Sequence, residues 1–347
     1  MIPIRNIYYM LSYAFKILQE KEYKKIALEK FSNTADLCAE ILAKVVSHQL
    51  KRGLNKEYVL QKELLCAVRG KIDINESIKR QTMIKGQLVC IYDDFNENSY
   101  LNKIIKTTML VLIRSDIAKE RQKALRKILL FFTNIDVIDI HKINWNIRFN
   151  RNNQTYKLLI NICYLVIKGL IQTEKKGKIK LLDFFDEQRM SMLYERFLLE
   201  FYKKELPNNI CVSSPQIKWK LDNDNYDSML PNMKTDMMLS YEDKILIIDA
   251  KYYSKATQEQ FGSRTIHSNN LYQIFAYVKN KQAEYRDDMH EVAGMLLYAK
   301  TDEAIVPNNS YVMMGNRISA NNIDLNCDFE EIKKQLITIV NDWIIAK

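Results

Sequence analysis

Thr235-Asp-Met-Met-Leu-Ser-Tyr-Glu-Asp-Lys-Ile-Leu-Ile-Ile-Asp249-Ala-Lys251 is the stretch that decides the fold of this 347-residue chain. Its aliphatic run Ile245–Ile248 is rich in β-branched residues and is typical of a strand that is buried on both faces. Glu242 and Asp243 precede that run and are suited to a two-residue turn, although glycine is absent. The stretch therefore predicts a β-hairpin.

The register of this hairpin determines which side chains meet. With the turn at those two residues, Ser240 faces Ile245 and Asp236 lies opposite Asp249. Cβ atoms at such cross-strand positions lie about 4.5–5.5 Å apart, so two carboxylates meet beside a buried strand. Lys251 follows Asp249 by two residues, and its side chain leaves the same face of the strand. A shift of one residue in register would separate the three groups.

Two adjacent carboxylates destabilise a sheet unless a cation compensates them. Mg²⁺ is suited to this place, because it takes oxygen ligands and needs only one or two protein carboxylates beside substrate phosphates. A metal ion lowers the pKa of its bound water, and a neighbouring lysine orients that water and offsets developing charge. Asp236, Asp249 and Lys251 are therefore the predicted catalytic residues of phosphodiester hydrolysis. The alternative is that Asp249 and Lys251 form only a surface ion pair.

The charge of the chain is unevenly distributed. The formal net charge is +10, of which residues 1–180 carry +16 and residues 181–347 carry −6. The polar, basic segment 173–180 lies at this change and is the predicted linker. We expect an α+β protein, with a basic mixed domain at residues 1–178 and a second domain, a mixed central sheet flanked by helices, at residues 179–347. The basic half indicates a partner or a polyanion, although solvated lysines explain it as well.

Basic residues are concentrated on the helix that the spacing predicts over residues 118–132. They either contact phosphate or form a solvated helix face. These residues are Arg121, Lys123, Arg126 and Lys127.

Composition excludes several classes of site. Eight glycines leave no phosphate-binding loop and no dinucleotide fingerprint, so this chain is expected to bind no nucleotide itself. The six cysteines form no Cys-x-x-Cys pair, which argues against a zinc cluster or a disulfide framework and indicates a cytoplasmic protein. No apolar stretch reaches the ~18–20 residues that span a bilayer, so we expect no membrane contact.

The hairpin residues resemble a known nuclease motif. Asp236 with Asp249-Ala-Lys251 is similar to the PD-(D/E)xK motif, with Thr235 in place of its proline. Gln273 and Tyr277 are spaced like the Q-x-x-x-Y helix that follows this motif in many such nucleases, and residues at i and i+4 share one helix face. The wider resemblance is to the McrC family, the nuclease subunits of McrBC modification-dependent restriction systems. It is carried by residues 2–14, 94–106, 190–197 and 247–253.

The resemblance to McrC implies a restriction-endonuclease-like domain that cuts DNA with Mg²⁺ as part of a complex. The implied partners are a McrB-like AAA+ GTPase hexamer and double-stranded DNA that contains modified cytosine, such as 5-methylcytosine. The N-terminal domain would engage the GTPase and stimulate it. The resemblance further implies that Asp236 and Asp249 bind the metal, that the backbone carbonyl of Ala250 adds a ligand, and that Lys251 positions the water.

Several residues and two other functions stay open. The Leu-Tyr-Glu pattern favours Glu195 as a further acidic ligand, whereas the apolar stripe of the helix predicted over residues 187–206 favours Glu200. Arg264 and His267 are candidate DNA contacts, together with the Gln and Tyr of the Q-x-x-x-Y helix. The same sequence also fits a regulatory adaptor that mainly activates a partner NTPase, or a stand-alone DNA nuclease.

Overall fold

The chain forms two compact units. In the computed structural model, the terminal unit combines Met1–Leu28 with Phe185–Lys347, and the central unit spans Glu29–Phe184. The structure describes residues 2–15, 18, 23, 26, 29–149, 154–175, 187–221, 229–253, 257–260, 263–285, 290–300 and 307–345. The expected domain boundary between residues 178 and 179 lies outside these described residues.

Most of the described helices lie before residue 206, and most of the described strands lie after it. The described helices are α1 (Ile4–Ala14), α2 (Thr34–Arg52), α3 (Ile74–Lys79), α4 (Tyr100–Ile113), α5 (Lys119–Leu129), α6 (Gln154–Lys175), α7 (Glu187–Glu205), α8 (Ser268–Gln282) and α9 (Phe329–Ile345). Short 3₁₀ segments occupy Thr82–Lys85, Leu130–Phe132 and Ile140–Lys142. The described strands are β1 (Glu57–Leu65), β2 (Lys71–Ile72), β3 (Leu88–Asn96), β4 (Cys211–Ser213), β5 (Gln216–Ile217), β6 (Met233–Lys234), β7 (Met237–Tyr241), β8 (Lys244–Lys251), β9 (Thr257–Gln260), β10 (Ser263–Ile266), β11 (Glu291–Ala299), β12 (Asn309–Met313) and β13 (Asn316–Ile323).

These elements give a mixed α/β architecture, as the sequence predicts. None of the helices in the described ranges is long and apolar enough to cross a membrane. All six cysteines lie in the described ranges and are free thiols.

The central unit packs helices α2, α4, α5 and α6 together and carries a small antiparallel sheet with strand order β1-β3-β2. Strand β3 lies in the middle of this sheet and pairs with both β1 and β2. Residues 74–79 form a short helix instead of continuing the second strand, because the Asp73 side chain caps it by accepting a hydrogen bond from the amide of Glu76.

Arg121 in this unit is held by acidic side chains and is largely withdrawn from solvent. Its guanidinium lies 2.8 Å from Asp36, 3.1 Å from Glu29 and 3.1 Å from Glu40. Three carboxylates therefore neutralise the first of the four clustered cations inside the unit. The other three cations of the segment are exposed, as expected of a solvated helix face.

The terminal unit is organised around a six-stranded mixed sheet with strand order β12-β13-β11-β8-β7-β4. Strand β11 runs parallel to both β8 and β13, whereas β7 and β8 are antiparallel. Strand β8 therefore lies inside the sheet with a neighbour on each side, as its aliphatic sequence predicts.

The predicted hairpin and its register are confirmed. Ser240 pairs with Ile245, and Met237 pairs with Ile248. The four residues Ile245–Ile248 are at most 4% exposed, so both faces of this stretch are buried, as its aliphatic sequence predicts. Glu242 takes a left-handed conformation with φ of 51°, which lets two residues reverse the chain without glycine.

Helix α8 packs closely against the face of the sheet that carries the hairpin residues. A Cβ atom on Gly294 of β11 would lie 2.7 Å from Val278 and 2.8 Å from Ile274. Only glycine permits this approach without a shift of the helix. The close packing fixes α8, and with it Gln273 and Tyr277, against the sheet.

The first helix belongs to the terminal unit, which differs from the expected domain of residues 1–178. Helix α1 is buried along most of its length and packs against α7. The Tyr13 ring lies 5.3 Å from that of Phe201 and 5.9 Å from that of Phe329, and the Asn6 amide donates to the carbonyl of Leu325 at 2.9 Å. These partners are more than 180 residues away in sequence, so the spacing within α1 does not disclose them.

Candidate active site

The two aspartates and the lysine of the hairpin meet where β8 ends. Asp236 directly precedes β7, and its Oδ2 accepts a hydrogen bond of 2.8 Å from the backbone amide of Ala250. The Nζ of Lys251 lies 2.6 Å from Asp249 Oδ2. The structure therefore brings together the three side chains that the register predicts.

This cluster is largely withdrawn from solvent. The side chain of Asp249 is 3% exposed and that of Lys251 is 13% exposed. Although the ammonium pairs with Asp249 Oδ2, no donor in the described part of the chain makes a well-aligned hydrogen bond to that oxygen. A buried carboxylate oxygen without such a donor is suited to a cation.

Burial dominates the electrostatics of the carboxylates. Burial, together with the charges of Asp249 and Glu195, raises the pKa of Asp236 to about 7. Burial also raises the pKa of Asp249, although the Lys251 ammonium opposes that rise. Burial disfavours the charged form of Lys251, but the two aspartates outweigh it and raise the pKa of the ammonium. The lysine therefore stays charged, whereas the charged forms of the two neighbouring carboxyl groups are destabilised in the absence of a metal ion.

A chain of hydrogen bonds holds Lys251 from the side of α8. Lys251 Nζ donates to Gln273 Oε1 at 3.0 Å, and Gln273 Nε2 donates to the Tyr277 hydroxyl at 2.9 Å. The Tyr277 hydroxyl then donates to the backbone carbonyl of Lys234 at 3.2 Å. Helix geometry places the amide and the phenol on one face, and together they link β8 to the segment that carries Asp236.

Thr235 stands where the resembled motif has proline, and it acts as an anchor. It is 1% exposed, and both its amide and its hydroxyl donate to the carbonyl of Pro215, at 3.2 and 2.9 Å. Its own carbonyl accepts a hydrogen bond of 2.7 Å from the Ser214 hydroxyl. These three bonds fix the backbone that presents Asp236.

The two glutamates of α7 lie in different surroundings. Burial raises the pKa of Glu195, and the Asp249 carboxylate adds to the rise, while Lys251 and Lys234 oppose it. The charges of the site thus act on Glu195, whose Oε1 accepts a hydrogen bond of 3.1 Å from Ser191. Glu200, which the apolar stripe favours, instead pairs with Lys203 at 3.3 Å.

The stripe points elsewhere because α7 is covered on two sides. Helix α7 packs against α1 as well as against β8 and β4. Arg196, the neighbour of Glu195, donates to the carbonyl of Ala14 at 2.9 Å. The apolar side chains of α7 are therefore divided between α1 and the sheet. The site lies at the edge of the apolar stripe.

The candidate DNA contacts border the same end of the sheet. His267 is the residue before α8, and its ring lies 5.3 Å from that of Tyr253. Arg264 pairs through its backbone with Glu259 in the β9–β10 hairpin, and its side chain lies outside the described part of the structure. Their contact with DNA stays a prediction.

The donor set fits a hard divalent cation. Asp236 and Asp249 supply carboxylate oxygens, and the Ala250 N–H points toward Asp236. Since the N–H and C=O of one residue in a strand point toward the same neighbour, the Ala250 carbonyl faces that side too. Within the described ranges no three His, Cys, Asp or Glu side chains converge on one point. All the donors named here are oxygens, so the set fits Mg²⁺, a hard cation that needs few protein ligands, better than zinc, which favours nitrogen and sulfur.

Comparison with known proteins agrees with the resemblance in the sequence. The family model described as McrBC 5-methylcytosine restriction system component matches residues 4–299. The chain belongs to the McrBC family.

Two relatives illustrate how far the McrBC likeness extends. The chain is 30% identical over 352 residues to a protein of Escherichia coli (strain K12) named Type IV methyl-directed restriction enzyme EcoKMcrBC, with 99% of this chain and 98% of that protein covered. A solved half-complex of Thermococcus gammatolerans McrB AAA+ hexamers with bound McrC shares its fold at a TM-score of 0.51 and 17% identity, covering 98% of this chain and 76% of that one. The predicted membership of the McrC family is confirmed.

The sequence reasoning missed Lys234 and the anchoring role of Thr235. A signal for the first was present, because Lys234-Thr-Asp236 repeats in reverse the order of Asp249-Ala-Lys251. No comparable signal marks Thr235, whose partner Pro215 lies 20 residues away.

Proposed function

We propose that this chain is the endonuclease subunit of a restriction complex that acts on DNA containing modified cytosine, 5-methylcytosine above all. It cleaves DNA by metal-assisted hydrolysis and stimulates a partner AAA+ GTPase. The convergence of Asp236, Asp249 and Lys251 in one buried site is the observation that supports this proposal most strongly. In this proposal the terminal unit is a PD-(D/E)xK nuclease domain, and partner contact falls to the central unit.

Each residue of the site has a role in the proposed reaction. Asp236, Asp249 and the Ala250 carbonyl would hold Mg²⁺, with Glu195 close enough to act on it electrostatically. When bound, the metal lowers the pKa of a water and polarises the phosphoryl oxygen. The Lys251 ammonium, held by Asp249 and Gln273, would orient the attacking water and offset the negative charge that develops on the phosphate.

Two observations support the proposed composition of the complex. One is the phosphate-binding loop that this sequence lacks, and the other is the names of its relatives. The sequence contains no phosphate-binding loop, so GTP would be bound by the partner. The related archaeal structure is named for McrB AAA+ hexamers with bound McrC, and the related bacterial protein for methyl-directed restriction. By this analogy the partner here is a McrB-like hexamer in the cytoplasm.

The proposal is tested by two readouts in one sample. The chain is mixed with its partner GTPase, GTP, Mg²⁺ and DNA with or without 5-methylcytosine, and DNA cleavage and GTP hydrolysis are followed together. We expect cleavage of the modified DNA only. We expect Asp249→Asn to lower cleavage at least about 100-fold, as loss of a key electrostatic group does, while GTP hydrolysis is stimulated as by the wild type.

The two alternative functions give other results. An adaptor would leave cleavage unchanged in the Asp249→Asn complex, because another chain would cut the DNA. A stand-alone nuclease would cut DNA with Mg²⁺ before any partner or GTP is added. Either result would contradict the proposal that this chain cuts the DNA only in complex with its partner GTPase.

A further inference from the structure

The two arms that lead into the site carry their charges in mirror order. The pairing of β7 with β8 ends at Met237 opposite Ile248, and Lys234 lies in β6, where it pairs with Gln216 of β5. The arm before β7 carries a lysine two residues before its aspartate, as β8 carries a lysine two residues after its own.

Burial on the first arm shows which way Lys234 points. Met233 is 4% exposed and packs into the same core cluster as Ile247 and Tyr277, whereas the Lys234 side chain is exposed. Adjacent side chains of a strand leave on opposite sides, so Lys234 extends away from that core cluster. Its charge acts on the Glu195 carboxylate beside the site.

The backbone under Lys234 is fixed rather than mobile. Its carbonyl accepts the hydrogen bond from Tyr277, and the following residue is bound to Pro215 and Ser214. Three hydrogen bonds of 3.0, 2.9 and 3.2 Å connect the Lys251 ammonium to this carbonyl. The position from which the Lys234 side chain extends is thus set relative to Lys251.

The two lysines differ in what engages them. The Lys251 ammonium is buried, paired with Asp249 and bonded to Gln273. The Lys234 ammonium has no ion pair or hydrogen bond among the described residues, and its charge acts on the Glu195 carboxylate across the site. An exposed ammonium on a fixed arm at the mouth of an acidic site is suited to an anion that spans the mouth.

We propose that Lys234 binds a backbone phosphate of the DNA next to the phosphate that is cleaved. The inference rests on the proposed nuclease function and adds a substrate contact to it. A phosphodiester strand carries one charge per nucleotide, so a strand laid over Asp236 and Asp249 places further phosphates beside the scissile one. Lys234 offsets the repulsion between such a phosphate and Glu195 and fixes the strand in position for attack.

The test compares single-turnover cleavage of modified DNA by complexes that contain Lys234→Ala, Lys234→Arg or Lys334→Ala. Lys334 is a matched control, because its side chain is 72% exposed on α9 and its i,i+3 pair with Glu331 contributes little. We expect Lys234→Ala to slow cleavage at subsaturating DNA at least about tenfold, the effect of one charged hydrogen bond. Saturating DNA should recover most of the rate, and Lys234→Arg should restore it at both concentrations.

Each outcome decides the question. If Lys234→Ala cleaves like Lys334→Ala at low DNA concentration, the phosphate contact is refuted. A defect that Lys234→Arg does not repair and that saturating DNA does not relieve also refutes it, since it would mark a structural role. Asp249→Asn in the same assay separates the two proposals: cleavage that survives in this variant overturns the nuclease function itself, whereas its loss leaves only the Lys234 inference at stake.

Discussion

The carboxylate of Asp236 accepts a hydrogen bond of 2.8 Å from the backbone amide of Ala250. This bond joins the two arms of the hairpin beyond the last paired residues of β7 and β8, and it holds Asp236 beside Asp249. It partly stabilises the Asp236 anion, but burial and two neighbouring acids outweigh it. The site is therefore electrostatically unfavourable until a cation enters it.

The first prediction concerns the stability of the metal-free chain. The pKa of Asp236 rises from 3.8 to about 7 on folding, so the folded state binds its proton more tightly than the unfolded state does. The free energy of unfolding should fall as the pH rises from about 4 to about 7, by up to about 4 kcal/mol, since the shift is about three pKa units and one unit equals about 1.4 kcal/mol. Urea unfolding in EDTA measures it.

The matched variant for this experiment is Asp236→Asn. It removes the titrating group, so its free energy of unfolding should change less over the same pH range. Equal pH dependence in the variant and the wild type would show that Asp236 does not carry the effect.

The second prediction concerns the hydroxyl of Tyr277. Tyr277→Phe removes the group that accepts from Gln273 and donates to the Lys234 carbonyl, so Gln273, one of the two partners of Lys251, loses its own anchor. We expect the rate of single-turnover cleavage to fall about tenfold, because the loss of one hydrogen bond leaves Lys251 less precisely positioned. Tyr272→Phe is the control, because Tyr272 lies on the same helix and is 68% exposed. Similar rates in both variants would exclude a positioning role.

The third prediction separates the two glutamates of α7. Glu195 acts on the Asp249 charge, whereas Glu200 pairs with Lys203. Glu195→Gln should raise the Mg²⁺ concentration needed for half-maximal cleavage by several-fold, and Glu200→Gln should leave it unchanged. A shift with Glu200→Gln alone would assign the acidic position to the other glutamate.

The fourth prediction concerns the ion cluster of the central unit. Arg121→Ala leaves Asp36 charged and only 2% exposed, without the cation that neutralises it. Breaking such a pair costs about 3–5 kcal/mol, and the urea midpoint of the chain should fall accordingly. Lys123→Ala, on the exposed face of the same helix, should change stability by less than about 0.5 kcal/mol. Equal losses of stability in the two variants would mean that the pairing of Arg121 with the three carboxylates does not stabilise the chain.

The local parts of the fold were predictable from the sequence. The two-residue turn at Glu242 and Asp243 sets the register of the hairpin, and that register brings Asp236, Asp249 and Lys251 together. The same reasoning missed contacts that depend on packing between distant segments. Helix α1 joins the terminal unit through residues beyond position 185, and α7 is covered from two sides, so an averaged apolar stripe misdirects the choice between its glutamates.

The most direct test of the central claim is the number of Mn²⁺ ions bound by the purified chain on a DNA duplex, measured by electron paramagnetic resonance without partner or nucleotide. Manganese replaces magnesium at oxygen ligands and reports its own binding. We predict at least one ion per wild-type chain, which is lost in the Asp236→Asn, Asp249→Asn double variant and kept in Glu200→Gln. Equal Mn²⁺ binding by the wild type and the double variant would contradict the claim that the hairpin carboxylates form the metal site.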